Sequence, residues 1–388
     1  MFEIIEKEDA ISDFETVIKV IGVGGAGGNA VNHMIREGVK GVEFIAANTD
    51  VKALKLSVAQ KKLRLGKTGL GAGAKPEAGR DAAISERERI AQALEGAHMV
   101  FITAGMGGGT GTGAAPIVAE VAREMGLLTV AVVTKPFSWE GRRIKIAEAG
   151  IVELQKHVDS LIVVLNDKLK EVLGDDVSML DAFKAADNVL RNAVGGIAEI
   201  INSPGLVIVD FEDVRTVMSE MGMAMMGSAS ASGVDRARLA AEQAVASPLL
   251  EGISLSGARG VLVNITASHS LKMKEVDEIM NTVRGFAADD AHIIFGAVYD
   301  DAMEDDLRVT VVATGLGQPR AKRQPFEVIS TPIATGTDGF YGGGDIDFKA
   351  LSSEPAVVRR TRNTAGEAPA ASGVDRLEIP AFLRKQAD

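Results

Sequence analysis

Three groups of residues in this chain have types and spacings suited to chemistry. The first is Gly105-Met106-Gly107-Gly108-Gly109-Thr110-Gly111-Thr112-Gly113-Ala114-Ala115-Pro116. Glycine amides, with no Cβ in the way, can close on the oxygens of an anion, and Thr110 and Thr112 add hydroxyl donors. The second is Gly22-Val23-Gly24-Gly25-Ala26-Gly27-Gly28-Asn29, where Gly22, Gly24 and Gly27 satisfy G-x-G-x-x-G. Alone, that pattern fits either a dinucleotide-binding turn or a plain strand-to-helix connection. The third group is charged: Glu140 with Arg142 and Arg143, then Asp210 and Asp213. Glu140 can accept from ribose hydroxyls while an arginine neutralises phosphate; the alternative is an exposed charged loop. Asp210 and Asp213, three apart where a strand enters a helix, have the spacing of a helix N-cap.

An anion site needs a strand, a loop and a helix start to position it. The apolar run His98 to Ala104 reads as a buried strand before the first glycine group. Ile117 to Met125 after it has amphipathic helical spacing, with Pro116 suited to the first turn. Unpaired N–H groups and the positive end of the helix dipole then face the loop, which reads as a phosphate cradle. The second group follows a strand at Val17 to Ile21 and precedes a helix from Ala30 to about Glu37. A strand at Val42 to Ala47 ends in Asn48-Thr49-Asp50, polar residues at the carboxyl end where open α/β sheets bind ligands. Asp50 either meets a ribose or caps the next helix. Gly66-Lys67-Thr68 invites a P-loop reading, which fails because Lys61 stands where that motif needs glycine. Gly69 to Pro76, containing Gly71-Ala72-Gly73, reads as a mobile loop that closes over a terminal phosphate or merely links elements, and Glu77 to Leu94 as helical.

Strands at Leu128 to Thr134 and Ser160 to Leu165, with a helix at Ile144 to His157 between them, extend the alternation. Repeated strand-helix units predict a doubly wound parallel sheet. Ser178 to Asn202 reads as one long helix. Beyond it, strands at 206–209, 260–266, 292–299 and 308–313 and helices at 213–221, 236–246 and 271–287 predict an α+β domain. The methionines at 218, 221, 223, 225 and 226 read as core filler.

At 388 residues two domains plus tails are expected, and a net charge of −11 argues against general nucleic-acid binding. With no cysteine, neither a disulfide nor a zinc-thiolate site can form. Met1 to Phe14 alternates acids with apolar residues and lacks the pattern of a signal peptide, and no stretch has the roughly 20 apolar residues of a membrane span. A cytoplasmic location is therefore expected. Residues 318–372 are rich in Pro, Gly, Ser, Thr and Ala and read as a disordered linker; its basic cluster Arg359-Arg360-Thr361-Arg362 reads as a solvated patch in preference to a contact for anionic lipid or nucleic acid. The amphipathic end, Val374 to Lys385, suggests a peptide ligand for another protein's groove.

The run Gly107-Gly108-Gly109-Thr110-Gly111-Thr112-Gly113 is a tubulin-type G-G-G-T-G-T-G motif, far more specific than G-x-G-x-x-G. With Val23 to Ala30, Thr134-Lys135-Pro136-Phe137, Val209 to Arg215 and Ile379 to Lys385, it makes the chain resemble the FtsZ family, the bacterial tubulin homologues of cell division, over essentially its whole length. The resemblance implies a tubulin-like α/β fold: an N-terminal extension (1–14), a Rossmann-like parallel-sheet GTP-binding domain (15–177), a long central helix (178–202), a C-terminal α+β domain (203–317), a linker (318–372) and a partner-binding peptide (373–388). It implies a GTPase that polymerises head to tail and forms the midcell ring beneath the inner membrane, binding GTP or GDP with Mg²⁺ on the phosphates and no dedicated metal site. Partners would be further copies of itself, and division proteins and membrane-tethering adaptors at Leu377, Ile379, Pro380, Phe382 and Leu383; neither nucleic acid nor a membrane span is expected.

By the same resemblance, Gly24, Gly25, Ala26, Gly27, Gly28 and Asn29 would hold phosphates with Gly107 to Gly113. Asn48 would also bind the nucleotide, and Gly71, Ala72 and Gly73 would lie near the terminal phosphate. Glu140 would hold the ribose and Arg143, chosen over Arg142, would face the nucleotide. Asn166 and Asp187 would read guanine, whose N1–H and 2-amino group both donate, and Phe183 would pack on the base. Asp210 and Asp213 would enter the neighbouring subunit's site and orient the attacking water. Three departures stand out: Ile208 where the family usually has asparagine, Leu165 where proline commonly precedes Asn166, and a segment 140–150 one residue shorter than usual. Ile208 leaves an alternative, a nucleotide-gated structural polymer with weak GTPase activity; a Rossmann oxidoreductase is more distant.

Overall fold

The computed structural model describes residues 16–174, 177–202, 205–207, 209–220, 222–247, 258–288 and 291–316. The expectations for residues 1–14, the linker, the C-terminal peptide and Ile208 lie outside the described residues. In the first half, β1 (Ile18–Val23), α1 (Gly24–Arg36), β2 (Val42–Asn48), α2 (Val51–Leu56), β3 (Lys61–Arg64), α3 (Pro76–Ile84) and α4 (Arg87–Leu94) come first. Then follow β4 (Met99–Gly105), α5 (Thr110–Glu124), β5 (Leu128–Lys135), α6 (Arg142–Gln155), β6 (Ser160–Leu165), α7 (Asn166–Leu173) and the long α8 (Met179–Asn202). The second half contains β7 (Gly205–Val207), α9 (Phe211–Met218), β8 (Gly222–Ser232), α10 (Arg236–Val245), β9 (Gly260–Ala267), α11 (Met273–Phe286), β10 (His292–Tyr299) and β11 (Asp306–Leu316).

All eleven strands join one sheet in the order β3-β2-β1-β4-β5-β6-β8-β11-β9-β10-β7. From β3 to β6 every pairing is parallel, as the strand-helix alternation predicts. Alternate side chains of β1 feed two cores: Ile18 and Val20 pack with α1 and α8 on one face, Ile21 and Val23 with α4 and α5 on the other. Lys19 is tolerated inside this strand because its Nζ donates to the carbonyls of Ala93 (3.2 Å) and Glu95 (2.6 Å) at the end of α4.

The two halves share more than the long helix. β6 and β8 pair in parallel at Ser160–Gly222, Leu161–Met223 and Ile162–Ala224, carrying the sheet through into mixed pairings among β8, β11, β9, β10 and β7. The core around α8 accordingly contains Val20 and Val132 together with Leu262 and Val312. Met218, Met225 and Met226 are buried, in keeping with filler, whereas Met223 is half-buried and Met221 lies outside the described residues.

Several element boundaries differ from the sequence expectation. Helix α1 begins at Gly24 and α5 at Thr110, so both glycine groups run into first turns, and Pro116 is the seventh residue of α5, inside the helix. Close packing explains the early start: a Cβ on Gly113 would stand 1.9 Å from the Pro76 carbonyl oxygen, so α3 can cross α5 only where the helix has glycine. The expected helix 77–94 is two, α3 and α4, broken at Ser85 and Glu86. Strand β8 was not expected: its sequence GMAMMGSASAS lacks β-branched residues.

Candidate active site

A cavity of about 320 Å³ opens at the carboxyl ends of β1, β4, β5 and β6, roofed by α8. A smaller one of about 140 Å³, containing Gly24, Gly28, Asn29 and Asn48, adjoins it at Gly25. Helices α1 and α5 both begin here, and neither Val23 nor Gly109 places a side-chain cap on its helix. The first-turn N–H groups of two helices therefore remain available to an anion.

The glycines divide into two classes. A Cβ at Gly25, Gly28 or Gly108 would meet nothing within 4 Å, so these positions face open space. At Gly27 a Cβ would stand 2.3 Å from the Thr103 carbonyl oxygen and at Gly111 2.5 Å from that of Gly105, so these two let elements pack. Gly107 needs its residue type for another reason, a φ of +91°. The buried Thr112 folds back so that its Oγ1 accepts the Gly107 N–H at 2.8 Å, fixing the loop. Thr110 shares a 2.6 Å hydrogen bond with Thr49, one of the polar residues at the end of β2. Gly71, Ala72 and Gly73 do not line either cavity. Ala72 instead backs Gly109, whose Cβ would be 2.9 Å from that of Ala72, and the Gly71 N–H donates to the Thr49 carbonyl. Asp50 is a cap: its carboxylate accepts the Lys52 N–H at 2.8 Å at the start of α2.

Polar acceptors gather at the other end of the larger cavity. Asn166, first residue of α7, is buried, and its Oδ1 has no hydrogen-bond partner among the described residues. Across from β6, Asp187 of α8 lines the same cavity, and burial pushes its carboxyl up to about 6, opposed by the charge of His33. Phe183, one turn earlier, stands edge-on to Phe137 at 5.9 Å, and Phe137 stacks on Trp139. Glu140 accepts the Phe137 N–H at 3.0 Å and pairs with Arg143. Arg143 lines this cavity, whereas Arg142 lines a different one between α3 and α6. Leu165 keeps regular register with Lys135 up to the strand end, so the missing proline does not displace Asn166 from the cavity wall. Thr134, Pro136 and Leu190 also line the site. The first two lie in the recognised Thr134 to Phe137 segment, and Leu190 falls three residues after Asp187 on the same helix face.

Two uncapped helix starts, an orphaned amide oxygen and a carboxylate suit a phosphorylated molecule whose base presents two donors. Residues 17–174 match the sequence model of the Tubulin/FtsZ family GTPase domain, and 222–317 that of the FtsZ family C-terminal domain. The chain is 52% identical over its full length to the whole cell division protein FtsZ of Pseudomonas putida. The chain belongs to the FtsZ family. It is 53% identical to the FtsZ of Coxiella burnetii, with 95% of this chain and 96% of that one covered. Among solved structures, the empty FtsZ dimer of M. jannaschii superposes with a TM-score of 0.75 at 42% identity, covering 78% of this chain and 89% of that chain. CetZ2 from Haloferax volcanii, at 21% identity and a TM-score of 0.67, shares the fold. As an FtsZ-family GTPase the chain binds GTP and GDP.

Asp210 and Asp213 do not join this site. Asp210 caps α9, its Oδ1 accepting the Asp213 N–H at 2.8 Å, and both residues are exposed. Next to them, Phe211 packs against His98, just before β4, and Arg215 donates to the carbonyl of Gly126, just after α5. These are the far ends of the elements whose near ends form the cradle. The 15 residues of α5 separate the two regions by about 22 Å.

Proposed function

We propose that this FtsZ-family GTPase assembles head to tail and hydrolyses GTP at the junction between subunits, in the cytoplasm at the bacterial division site. The observation that carries this reading is the position of Asp210 and Asp213 at the opposite end of α5 from the cradle. Within one chain the acids cannot reach a phosphate held at Thr110, whereas a second chain stacked in the same orientation brings its acidic end to the first chain's cavity. The M. jannaschii relative described as an FtsZ dimer supports self-association.

In this mechanism the amides of Gly25, Gly28 and Gly108, with Thr110, hold the phosphates. Asn166 and Asp187 accept from the guanine N1–H and 2-amino group, two donors that adenine does not present there. Glu140 accepts from the ribose, and Arg143 beside it adds positive charge. The next subunit's Asp210 and Asp213 orient a water in line with the γ-phosphorus. The water oxygen bonds to phosphorus as the bond to the β-phosphate bridging oxygen breaks, and its proton passes to a carboxylate or to solvent. Positioning and charge are sufficient for such a transfer. Among the described residues the carboxylates lining the cavity are Glu140, paired with Arg143 and assigned to the ribose, and Asp187, assigned to the base. Mg²⁺ would therefore be held by the phosphates and water, where it would supply charge neutralisation. The segment around Leu377 to Leu383 is proposed to bind division proteins and membrane adaptors.

Mixing two inactive variants tests the shared site. Asp213→Ala keeps a cradle but lacks the water-orienting acid, and Asp187→Ala keeps the acids but loses the base. Each alone should be inactive, and the mixture should regain GTP turnover that rises steeply with protein concentration. A mixture as inactive as its components would overturn the shared-site reading.

A further inference from the structure

On the face away from α8, the helices α3, α5 and α6 enclose a groove of about 670 Å³ separate from the nucleotide cavity. Its floor is the outer stripe of α5, including Pro116 and Ile117, and its wall on α6 includes Ile146 and Ala149. Four cations ring it: Lys75 and Arg80 from one side, Arg142 and Lys145 from the other. Among the described residues none of the four forms an ion pair or a side-chain hydrogen bond, although Arg80 acts through space on Glu153. The acids at the rim are mostly engaged elsewhere. Glu120 pairs with Arg87, and Glu153 with Lys156 and His157; among the described residues Glu77 has no ion-pair partner. An apolar floor flanked by unpaired cations fits an extended segment that alternates apolar residues with acids.

This chain carries such a segment. Residues 1–15 contain the acids Glu3, Glu6, Glu8, Asp9, Asp13 and Glu15 against the single Lys7, interleaved with Phe2, Ile4, Ile5, Ile11 and Phe14. Their attachment point is suitable. Val17 donates its N–H to His98 Nδ1, and the carbonyl of His98 accepts from Leu128, so the segment joins the body at the rim formed by the amino ends of the central strands, where α5 ends. From that rim the groove runs back along α5 from Glu120 to Gly113, and fifteen extended residues span about 50 Å, more than the crossing requires.

We propose that the acidic segment 1–15 of this chain docks in the α3–α5–α6 groove of the same molecule, its apolar residues on Pro116, Ile117 and Ile146 and its acids facing Arg80 and Lys145. The docked segment clasps α3 to α6, helices that abut the Lys75 and Arg143 sides of the nucleotide cradle. Neither the nucleotide cavity nor assembly is needed for this contact, so its test is independent of the shared-site mechanism.

The absence of cysteine makes the test clean. In the full-length protein, Ile5→Cys is paired either with Ala149→Cys in the groove or with Lys40→Cys, which lies near the segment's attachment point but on the other side of the sheet. An undocked tether favours the position near its root. Docking instead should make the Ala149 pair oxidise to an intramolecular disulfide faster, by roughly an order of magnitude. Arg80→Glu with Lys145→Glu should abolish that advantage while GDP binding, measured in parallel, reports an intact fold. Faster cross-linking at Lys40, or no response to charge reversal, would overturn the proposal. Cross-linked dimers in place of monomers would overturn its intramolecular form and assign the groove to the segment of a second copy.

Discussion

The carboxylate of Asp210 accepts the backbone N–H of Asp213 at 2.8 Å, so one of the two proposed catalytic acids caps the helix that carries the other. The roles are unequal, because Asp213 contributes only its amide to this bond and its carboxylate stays in solvent. Asp213→Ala should abolish GTP hydrolysis with no change in Tm or in GTP affinity. Asp210→Ala should also stop hydrolysis, and in addition lower stability by about 1 kcal/mol through loss of the cap. Thermal melts beside turnover assays separate the two.

Nucleotide affinity should depend on pH through Asp187. Burial pushes its carboxyl up to about 6, and in the proposed contact guanine requires the ionised acceptor. Below that value a proton must leave before the base can bind, so GDP affinity should fall toward tenfold per pH unit, and above it should be flat. Stability of the nucleotide-free protein should move the other way. Because folding raises this pKa, the contribution of the group is fully present below the ordinary aspartate value and lost as pH rises through about 6. GDP titrations on both sides of that pH check the first, and urea melts the second. Asp187→Asn should remove the pH dependence along with most of the affinity.

The two classes of glycine should respond differently to one methyl group. Gly108→Ala adds a Cβ that touches no protein atom, so stability should hold while nucleotide affinity falls about tenfold or more, near 1.4 kcal/mol. Gly27→Ala pushes a methyl against the Thr103 carbonyl and should cost about 1–3 kcal/mol of stability. Equal effects of the two on stability would contradict the assignment.

Thr112→Val keeps the shape of a buried side chain and removes the acceptor of the Gly107 N–H. An unpaired buried amide should cost about 1–3 kcal/mol, and the loosened loop should weaken GTP binding. Thr112→Ser, which restores the oxygen, should recover most of both. Calorimetry and nucleotide titration on the pair provide the check.

The glycine cradle was legible in the sequence because its requirements are local. A run such as Gly107 to Gly113 follows a strand and enters a helix within a dozen residues, and what it needs, backbone free of Cβ atoms, is written in residue type. Its details were not legible. Pro116 read as a first-turn residue because nothing local reveals that α3 crosses at Gly113 and holds the glycines in helical form. Asp50 allowed two roles until the Lys52 amide was seen beneath it. The proposed base end was named only through the family resemblance: Asn166 and Asp187 belong to different elements, and only the packing of α8 over β6 sets an orphaned oxygen and a half-buried carboxylate in one cavity. Strand β8, built from Gly, Ala, Ser and Met, carries no alternation to mark it, so the sheet that unites the two halves through Ser160 and Gly222 emerged only from long-range pairing. The sequence alone therefore determined the nucleotide-binding chemistry and the parallel architecture, both set by local residue patterns. Tertiary structure alone decided which residues share the cavity and that Asp210 and Asp213 stand a helix length away from it, because those relations depend on contacts between segments far apart in the chain.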